Sequence, residues 1–157
     1  MHVPALGPRG EGWVVLQSLV FGAIVACGLL RGGWPGKTES SLRAVGIVLE
    51  VCGAVLGVLG VRRLGSSFTP VPLPRKHAGL RRDGIYKRVR HPIYGGLIVF
   101  MLGWSLCHSP VALAPTALLA AVFELKSRRE ELWLTERYPE YADYRAATPR
   151  RFIPWVI

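Results

Sequence analysis

Four stretches of the chain carry few or no charged residues, and they dominate its pattern of hydrophobic positions. Trp13–Leu30 and Leu42–Val61 reach the roughly 17–25 residues that a helix needs to cross a bilayer. Ile93–Cys107 and Val111–Leu125 are shorter, so these helices are expected to tilt, to begin earlier or to form a tight hairpin. The pattern predicts an all-α integral membrane bundle of about four transmembrane helices.

The composition agrees with a membrane protein. Half of the 157 residues are hydrophobic and 19% are charged, whereas soluble domains carry about 25% charged residues. The length suits a single domain, 1–157. Within it, 13–61 is expected to form two N-terminal transmembrane helices, and 64–157 the remaining, more polar part.

The three cysteines lie inside apolar stretches, and no two of them have the spacing of metal ligands. Cys27, Cys52 and Cys107 therefore indicate small buried hydrophobic residues, with no disulfide and no metal site. Ile24–Cys27 resembles a lipoprotein cleavage site, but the apolar run continues to Leu30 and the preceding leader is nearly neutral. We expect an uncleaved first helix.

The net charge of +10 would suggest nucleic acid in a soluble protein, but the basic residues here flank apolar runs. That arrangement favours a bilayer with anionic headgroups as partner and argues against nucleic acid. The loops Arg31–Ser41 and His108–Pro110 are poor in basic residues, so the positive-inside rule predicts a cytoplasmic central loop and cytoplasmic termini. The basic residues concerned are Arg62, Arg63, Arg75, Lys76, Arg81, Arg82, Lys87, Arg88 and Arg90 in the central loop, and Lys126, Arg128, Arg129 and Arg137 after the fourth stretch.

The connecting segments have recognisable turn and helix signals. Prolines at alternate positions of Phe68–Pro74 predict an extended segment, and Asp83-Gly84 predicts a turn. Pro92 suits the first turn of the third helix. After the fourth stretch the chain is expected to continue as a helix until Pro139, and Glu140–Ala147 to form a short helix at the cytoplasmic face.

Two polar segments flank the third and fourth stretches, at Gly84–Gly96 and Glu124–Leu134. A helical hairpin places the start of one helix beside the end of the next, so these segments should meet. Free N–H groups near His91, the ring of Tyr94 and the carboxylate of Glu131 would together suit a zwitterionic amino acid with a positively charged sulfur.

Each of these features also has a purely structural interpretation. His91-Pro92 suits a helix cap, and the tyrosines with Trp133 suit an aromatic belt at the membrane surface. Gly95-Gly96 suits helix packing, and Glu124 with Arg128 suits an ion pair along one helix. From the residues alone, ligand binding and membrane anchoring are both open.

The motifs in these segments resemble those of the isoprenylcysteine carboxyl methyltransferase and phospholipid methyltransferase superfamily of small membrane enzymes. The resemblance covers about Leu64 to the C-terminus. Its motifs are Gly84-Ile85-Tyr86, Val89–Gly96, Arg129-Glu130-Glu131 with Leu134 and Tyr138, and then Tyr141, Tyr144, Pro149-Arg150 and Ile153-Pro154.

The resemblance implies a methyltransferase that uses S-adenosyl-L-methionine and an apolar methyl acceptor. It implies that Glu131 holds the cofactor's amino group and that Lys126 lies near the acceptor, where the family often has Arg. Tyr138-Pro139 stands where Phe-Gly is common, which leaves the acceptor less certain than the cofactor. The implied cofactor-binding residues are Leu80, Tyr86, His91, Pro92, Ile93, Tyr94 and Glu131, and the implied catalytic residues are His91, Lys126 and Glu131.

Several alternatives remain open from the sequence. A carboxylate or thiolate acceptor would need no strong base, whereas an amine or phenol would, with His91 as the candidate. A prenylated cysteine carboxylate, a phospholipid amine, a small thiol and another apolar metabolite are all possible acceptors. The chain could also be an inactive protein that binds lipid or a partner, or a reductase on a related scaffold. The oligomeric state is open.

Overall fold

Five α-helices make up the fold of the computed structural model, which describes residues 3–30, 32–75 and 78–154. No β-strand occurs among those residues. Single turns of 3-10 helix lie between the α-helices, at Gly36–Thr38, Gly65–Ser67, Gly84–Lys87 and Pro110–Ala112. The α-helices are α1 (Glu11–Leu30), α2 (Glu39–Leu64), α3 (Pro92–His108), α4 (Leu113–Arg137) and α5 (Tyr141–Ala147).

Three helical segments are long and apolar enough to cross a membrane: Glu11–Leu30, Glu39–Ser67 and Pro110–Arg137. The remaining apolar helix, α3, has 17 residues. At about 1.5 Å per residue its length is slightly less than the thickness of a bilayer's hydrocarbon core. The expected all-α integral membrane bundle of about four helices is confirmed. The described residues contain no set of three His, Cys, Asp or Glu side chains that could hold a metal ion.

The fourth helix is longer than the apolar stretch Val111–Leu125 because it includes the helix expected after that stretch. Hydrophobicity falls off at Leu125, but α4 continues without a break to Arg137. The added residues are mostly Leu, Lys, Arg and Glu, which have high intrinsic helix propensity. The α4 helix ends just before Pro139, where the sequence predicts a break, and α5 follows as expected.

The central loop joins α2 to α3 at the polar end of the bundle. Gly84 has φ +59°, so the Asp83-Gly84 turn forms where the sequence predicts it. Arg63 Nε donates to Asp83 Oδ1 at 2.7 Å, and this hydrogen bond lowers the pKa of Asp83. The turn is thereby tied to the end of α2. Lys76 and Arg31, which figure in the predicted charge asymmetry, lie outside the described residues.

Glycines at seven-residue intervals bring α2 and α3 into direct backbone contact. Gly46, Gly53 and Gly60 are the buried residues of α2. A Cβ added at Gly53 would lie 2.6 Å from the carbonyl oxygen of Gly96, and one at Gly103 would lie 2.5 Å from that of Gly46. The helices run antiparallel with these residues facing one another, so a glycine seam replaces side-chain packing between them.

A second packing region lies between α1 and α4. Trp13 and Ile24 of α1 and Leu119 and Phe123 of α4 are buried in one hydrophobic cluster. Tyr94 of α3 packs against the edge of this cluster. The bundle therefore pairs α2 with α3 and α1 with α4, and α3 and α4 meet between the pairs.

The glycine seam predicts a large effect for one added methyl group. Gly53→Ala should destabilise the protein by about 1–3 kcal/mol, because α2 and α3 must separate to accept the new Cβ. Gly57 lies on the same helix, but a Cβ there would meet nothing within 4 Å. Gly57→Ala is therefore the matched control and should keep or slightly raise stability. Thermal unfolding of the detergent-purified variants measures both effects, and equal midpoints would contradict the seam.

Candidate functional site

A cavity of about 1020 Å³, including the space at its mouth, opens at the polar end of the bundle. Its walls come from α1, α3, α4, α5 and the central loop. The aromatic side chains that line it are Phe68, Tyr86, Tyr94, Tyr138, Tyr141 and Tyr144.

Most of the residues singled out in the sequence lie at this cavity. The two polar segments flanking the third and fourth apolar stretches meet here, as the hairpin argument expects. Pro92 and Glu131 are the two that do not line it: Pro92 packs beside Gly60, and Glu131 lies behind His91. Those that do line it are Leu80, Tyr86, His91, Ile93, Tyr94 and Lys126.

Glu131 belongs to a buried ion cluster. Its Oε1 accepts from Arg90 Nε at 2.9 Å and lies 3.1 Å from His91 Nε2. Both side chains of the Arg90–Glu131 pair are almost fully buried, at 5% and 6% exposure. Arg90 Nη1 also donates to the carbonyls of Thr148 and Pro149, at 2.6 and 2.7 Å. The cluster therefore ties α4 and the start of α3 to the C-terminal segment.

The C-terminal segment crosses the start of α3. The backbone N–H of His91 donates to the carbonyl of Arg151 at 2.7 Å, and that of Arg90 donates to Arg150. Gly95 has no room for a Cβ because the backbone of Phe152 lies against it. The N–H group of His91 is therefore not among the free N–H groups expected near the start of α3. The N–H group of His91 bonds a backbone carbonyl of the C-terminal segment, and Pro92 has no N–H group.

The rings of His91, Tyr94 and Phe123 form a stack, and Tyr94 in its middle bonds the carboxylate of Glu130. His91 and Tyr94 are parallel within 5° at 5.4 Å, and Tyr94 and Phe123 within 9° at 4.8 Å. The hydroxyl of Tyr94 donates to Glu130 Oε2 at 2.6 Å. Glu130 lines the cavity, so it is the carboxylate that a bound molecule would meet. That Glu131 holds a ligand's amino group stays a prediction.

Lys126 is a buried cation at the apolar side of the cavity, with 1% exposure. Its Nζ donates to Gln17 Oε1 at 2.6 Å and to the carbonyl of Pro70 at 2.8 Å. It also lies 5.1 Å from the centre of the Tyr94 ring. Among the described residues, no carboxylate is within ion-pair distance of Nζ, so its hydrogen-bond partners are neutral oxygens.

Three tyrosines near the end of the chain line the cavity and were not assigned a site role from the sequence. Tyr144 donates to the carbonyl of Tyr86 at 2.7 Å, and Tyr138 donates to the carbonyl of Ala78. The hydroxyl of Tyr141 is buried without a hydrogen-bond partner. Burial raises the pKa of Tyr86, Tyr141 and Tyr144, so these phenols stay protonated. The three-residue spacing of Tyr141 and Tyr144 was the available signal, since it places both on one face of α5.

The sequence of this chain matches a known protein family over most of its length. Residues 42–141, more than half of the chain, match the model of the phospholipid methyltransferase family. The chain belongs to the phospholipid methyltransferase family. This confirms the superfamily that the motifs indicate. The matched segment contains all of α3 and α4, with Glu130 and Glu131, and also Arg90 and His91 just before α3, whereas α1 lies outside it.

Individual relatives carry two kinds of name. A probable protein-S-isoprenylcysteine O-methyltransferase of Oryza sativa subsp. japonica is 33% identical over 107 residues, 62% of this chain and 56% of that protein. Protein-S-isoprenylcysteine O-methyltransferase B of Arabidopsis thaliana is 27% identical over 159 residues, 90% of this chain and 81% of that protein. The cobalt-zinc-cadmium resistance protein CzcN of Cupriavidus metallidurans is 32% identical over 142 residues, 88% of this chain and 58% of that protein. This phospholipid methyltransferase family member spans little more than half the length of some curated relatives.

The ion cluster predicts that a single charge holds the C-terminal segment in place. Glu131→Gln leaves the buried Arg90 without its counter-ion, which should cost about 3–5 kcal/mol of stability. The segment should then detach, and its freed backbone should let trypsin cleave after Arg150 and Arg151. Limited proteolysis followed by intact mass measures this release.

Glu136→Gln is the control, because Glu136 is exposed on the same helix. Equal trypsin resistance of the two variants would show that the Glu131 carboxylate does not hold the segment.

Proposed function

We propose that this chain is a membrane methyltransferase that uses S-adenosyl-L-methionine and methylates an apolar acceptor. One observation carries the proposal: the cavity is walled by aromatic rings, with the carboxylate of Glu130 and the buried cation of Lys126 both on its lining. Membership of the phospholipid methyltransferase family supports it.

The residues at the cavity fit the cofactor. A carboxylate at Glu130 complements the amino group, and the face of a tyrosine ring complements a sulfonium. Leu80 and Ile93 offer apolar surface to the adenosine part.

The chain's own residues would act by position more than by acid–base chemistry. When bound, S-adenosyl-L-methionine supplies a methyl group on a sulfur that accepts the electron pair of the broken bond. Tyr94, held between His91 and Phe123, gives the site a rigid aromatic wall. We assign the amino group of the cofactor to Glu130 in place of Glu131, because Glu130 lines the cavity and Glu131 lies behind His91. Glu131, by fixing Arg90 and His91, supports that wall from behind.

We assign the acceptor to the side of Lys126. This cation has only neutral hydrogen-bond partners in the described chain, and it lies beside Phe123 and Leu97 in an apolar setting. An acceptor with an anionic or electron-rich end would pair with it, and an apolar body would extend toward the bilayer. A carboxylate acceptor would need no base. The density of basic residues around the cavity mouth supports a cytoplasmic location for the site.

The decisive test is ligand-induced stabilisation of the purified protein. S-adenosylhomocysteine should raise the unfolding midpoint by several degrees, since a ligand at 100 times its Kd adds about 2.7 kcal/mol. NADPH should have no effect. Glu130→Gln should weaken the binding of S-adenosylhomocysteine roughly tenfold or more, because a hydrogen bond to a charge is lost.

Glu136→Gln, at an exposed position of the same helix, should bind like the wild type. Stabilisation by NADPH alone would favour a reductase. No response to either compound would favour an inactive lipid-binding or partner-binding protein.

Lys126 should affect the acceptor and spare the cofactor. Lys126→Met is expected to lower transfer of labelled methyl groups into a membrane extract at least roughly tenfold, with S-adenosylhomocysteine affinity nearly unchanged. Lys126→Arg keeps the charge and should retain most of the transfer. Full transfer by Lys126→Met, at normal cofactor affinity, would remove Lys126 from the acceptor site.

A further inference from the structure

All five tyrosines of this chain line the cavity. The structure gives a hydrogen-bond partner to the hydroxyls of four of them. Tyr94 donates to Glu130, Tyr144 to the carbonyl of Tyr86, Tyr138 to that of Ala78, and Tyr86 to that of Gly60. Tyr141 is the exception, because its hydroxyl has no partner among the described residues.

The unpartnered hydroxyl is unusual because Tyr141 is only 1% exposed. Buried polar atoms are almost always hydrogen-bonded, and an exception calls for an explanation such as a missing ligand. The side chain belongs to the cavity wall, next in space to the groups that a bound molecule would contact. A phenylalanine at position 141 would fill the same volume without the unsatisfied hydroxyl, so packing alone does not account for a tyrosine here.

The surroundings of Tyr141 indicate what kind of group it would bind. Arg90, Glu130 and Glu131 all act electrostatically on the phenol, and burial raises its pKa, so the hydroxyl is a donor at neutral pH. Glu130 is the cavity's carboxylate and would take a cation. The positive charge of Arg90, also at the cavity, favours an anion beside it.

We propose that the hydroxyl of Tyr141 donates a hydrogen bond to the carboxylate of the ligand's amino-acid part. In this arrangement Glu130 binds the amino group and Tyr141 binds the carboxylate, and both of these groups are attached to the α-carbon of the ligand. The hydroxyl of Tyr141 then gains a hydrogen-bond partner only when the ligand is bound. This inference rests on the proposed function, and it adds Tyr141 to the residues that contact the cofactor.

Two ligands and two variants test it. S-adenosylhomocysteine carries the carboxylate, and S-adenosyl-3-thiopropylamine lacks it but keeps the amino group and the adenosine. Tyr141→Phe should weaken S-adenosylhomocysteine roughly ten- to a hundredfold in a calorimetric titration, and leave the thiopropylamine compound within about twofold. The ligand-free variant should unfold at the same temperature as the wild type or higher, since no hydrogen bond is removed.

Tyr144→Phe is the matched control on the same helix. Its hydroxyl bonds the carbonyl of Tyr86, so this variant should unfold at a lower temperature and keep the wild-type ratio of the two affinities. Unchanged S-adenosylhomocysteine affinity in Tyr141→Phe, or equal weakening of both ligands, would overturn the carboxylate contact and leave the proposed function standing. Failure of S-adenosylhomocysteine to bind the wild type would overturn both.

Discussion

A buried ion pair joins three parts of the chain that are far apart in sequence. Arg90 precedes α3, Glu131 lies on α4, and the carbonyls of Thr148 and Pro149 accept from Arg90 Nη1. Two charges removed from water are tolerated only when each is fully paired. Any other position of the C-terminal segment would leave Arg90 Nη1 without these acceptors, so Arg90 fixes the segment and, through it, the tyrosines of α5 that wall the cavity.

The membrane part of the molecule is held by a different interaction. Lipid covers the outer face of α2, where Val48, Val51 and Val55 are exposed, and burial of apolar surface between helices yields little in a membrane. Close backbone contact at Gly53 and Gly96 takes its place. The bundle therefore combines a charged clamp at its polar end with van der Waals packing in its membrane part, and the cavity opens where the two meet.

The sequence predicts those features that depend on local chemistry and misses those that depend on long-range packing. The apolar runs reveal the helices because transfer into lipid is a property of each segment, and the hairpin argument brings His91 to Glu131. No local pattern separates Glu130 from Glu131, because both lie on a polar stretch of α4 and differ only by a rotation about its axis. Packing against Arg90 turns Glu131 inward and leaves Glu130 at the cavity. The carbonyl of Arg151 on the N–H of His91 is likewise a backbone contact without a side-chain signature.

One polar residue in the first apolar stretch shows that α1 belongs to the site. Gln17 would be costly in a helix that only anchors the protein in lipid, and intramembrane polar residues generally mark function. Its amide oxygen accepts from Lys126 Nζ at 2.6 Å and lines the cavity. The family match begins at residue 42 and so omits α1. The helix outside the matched segment thus helps to hold the cation to which we assign the acceptor, and differences among relatives at Gln17 would bear on which acceptor each one takes.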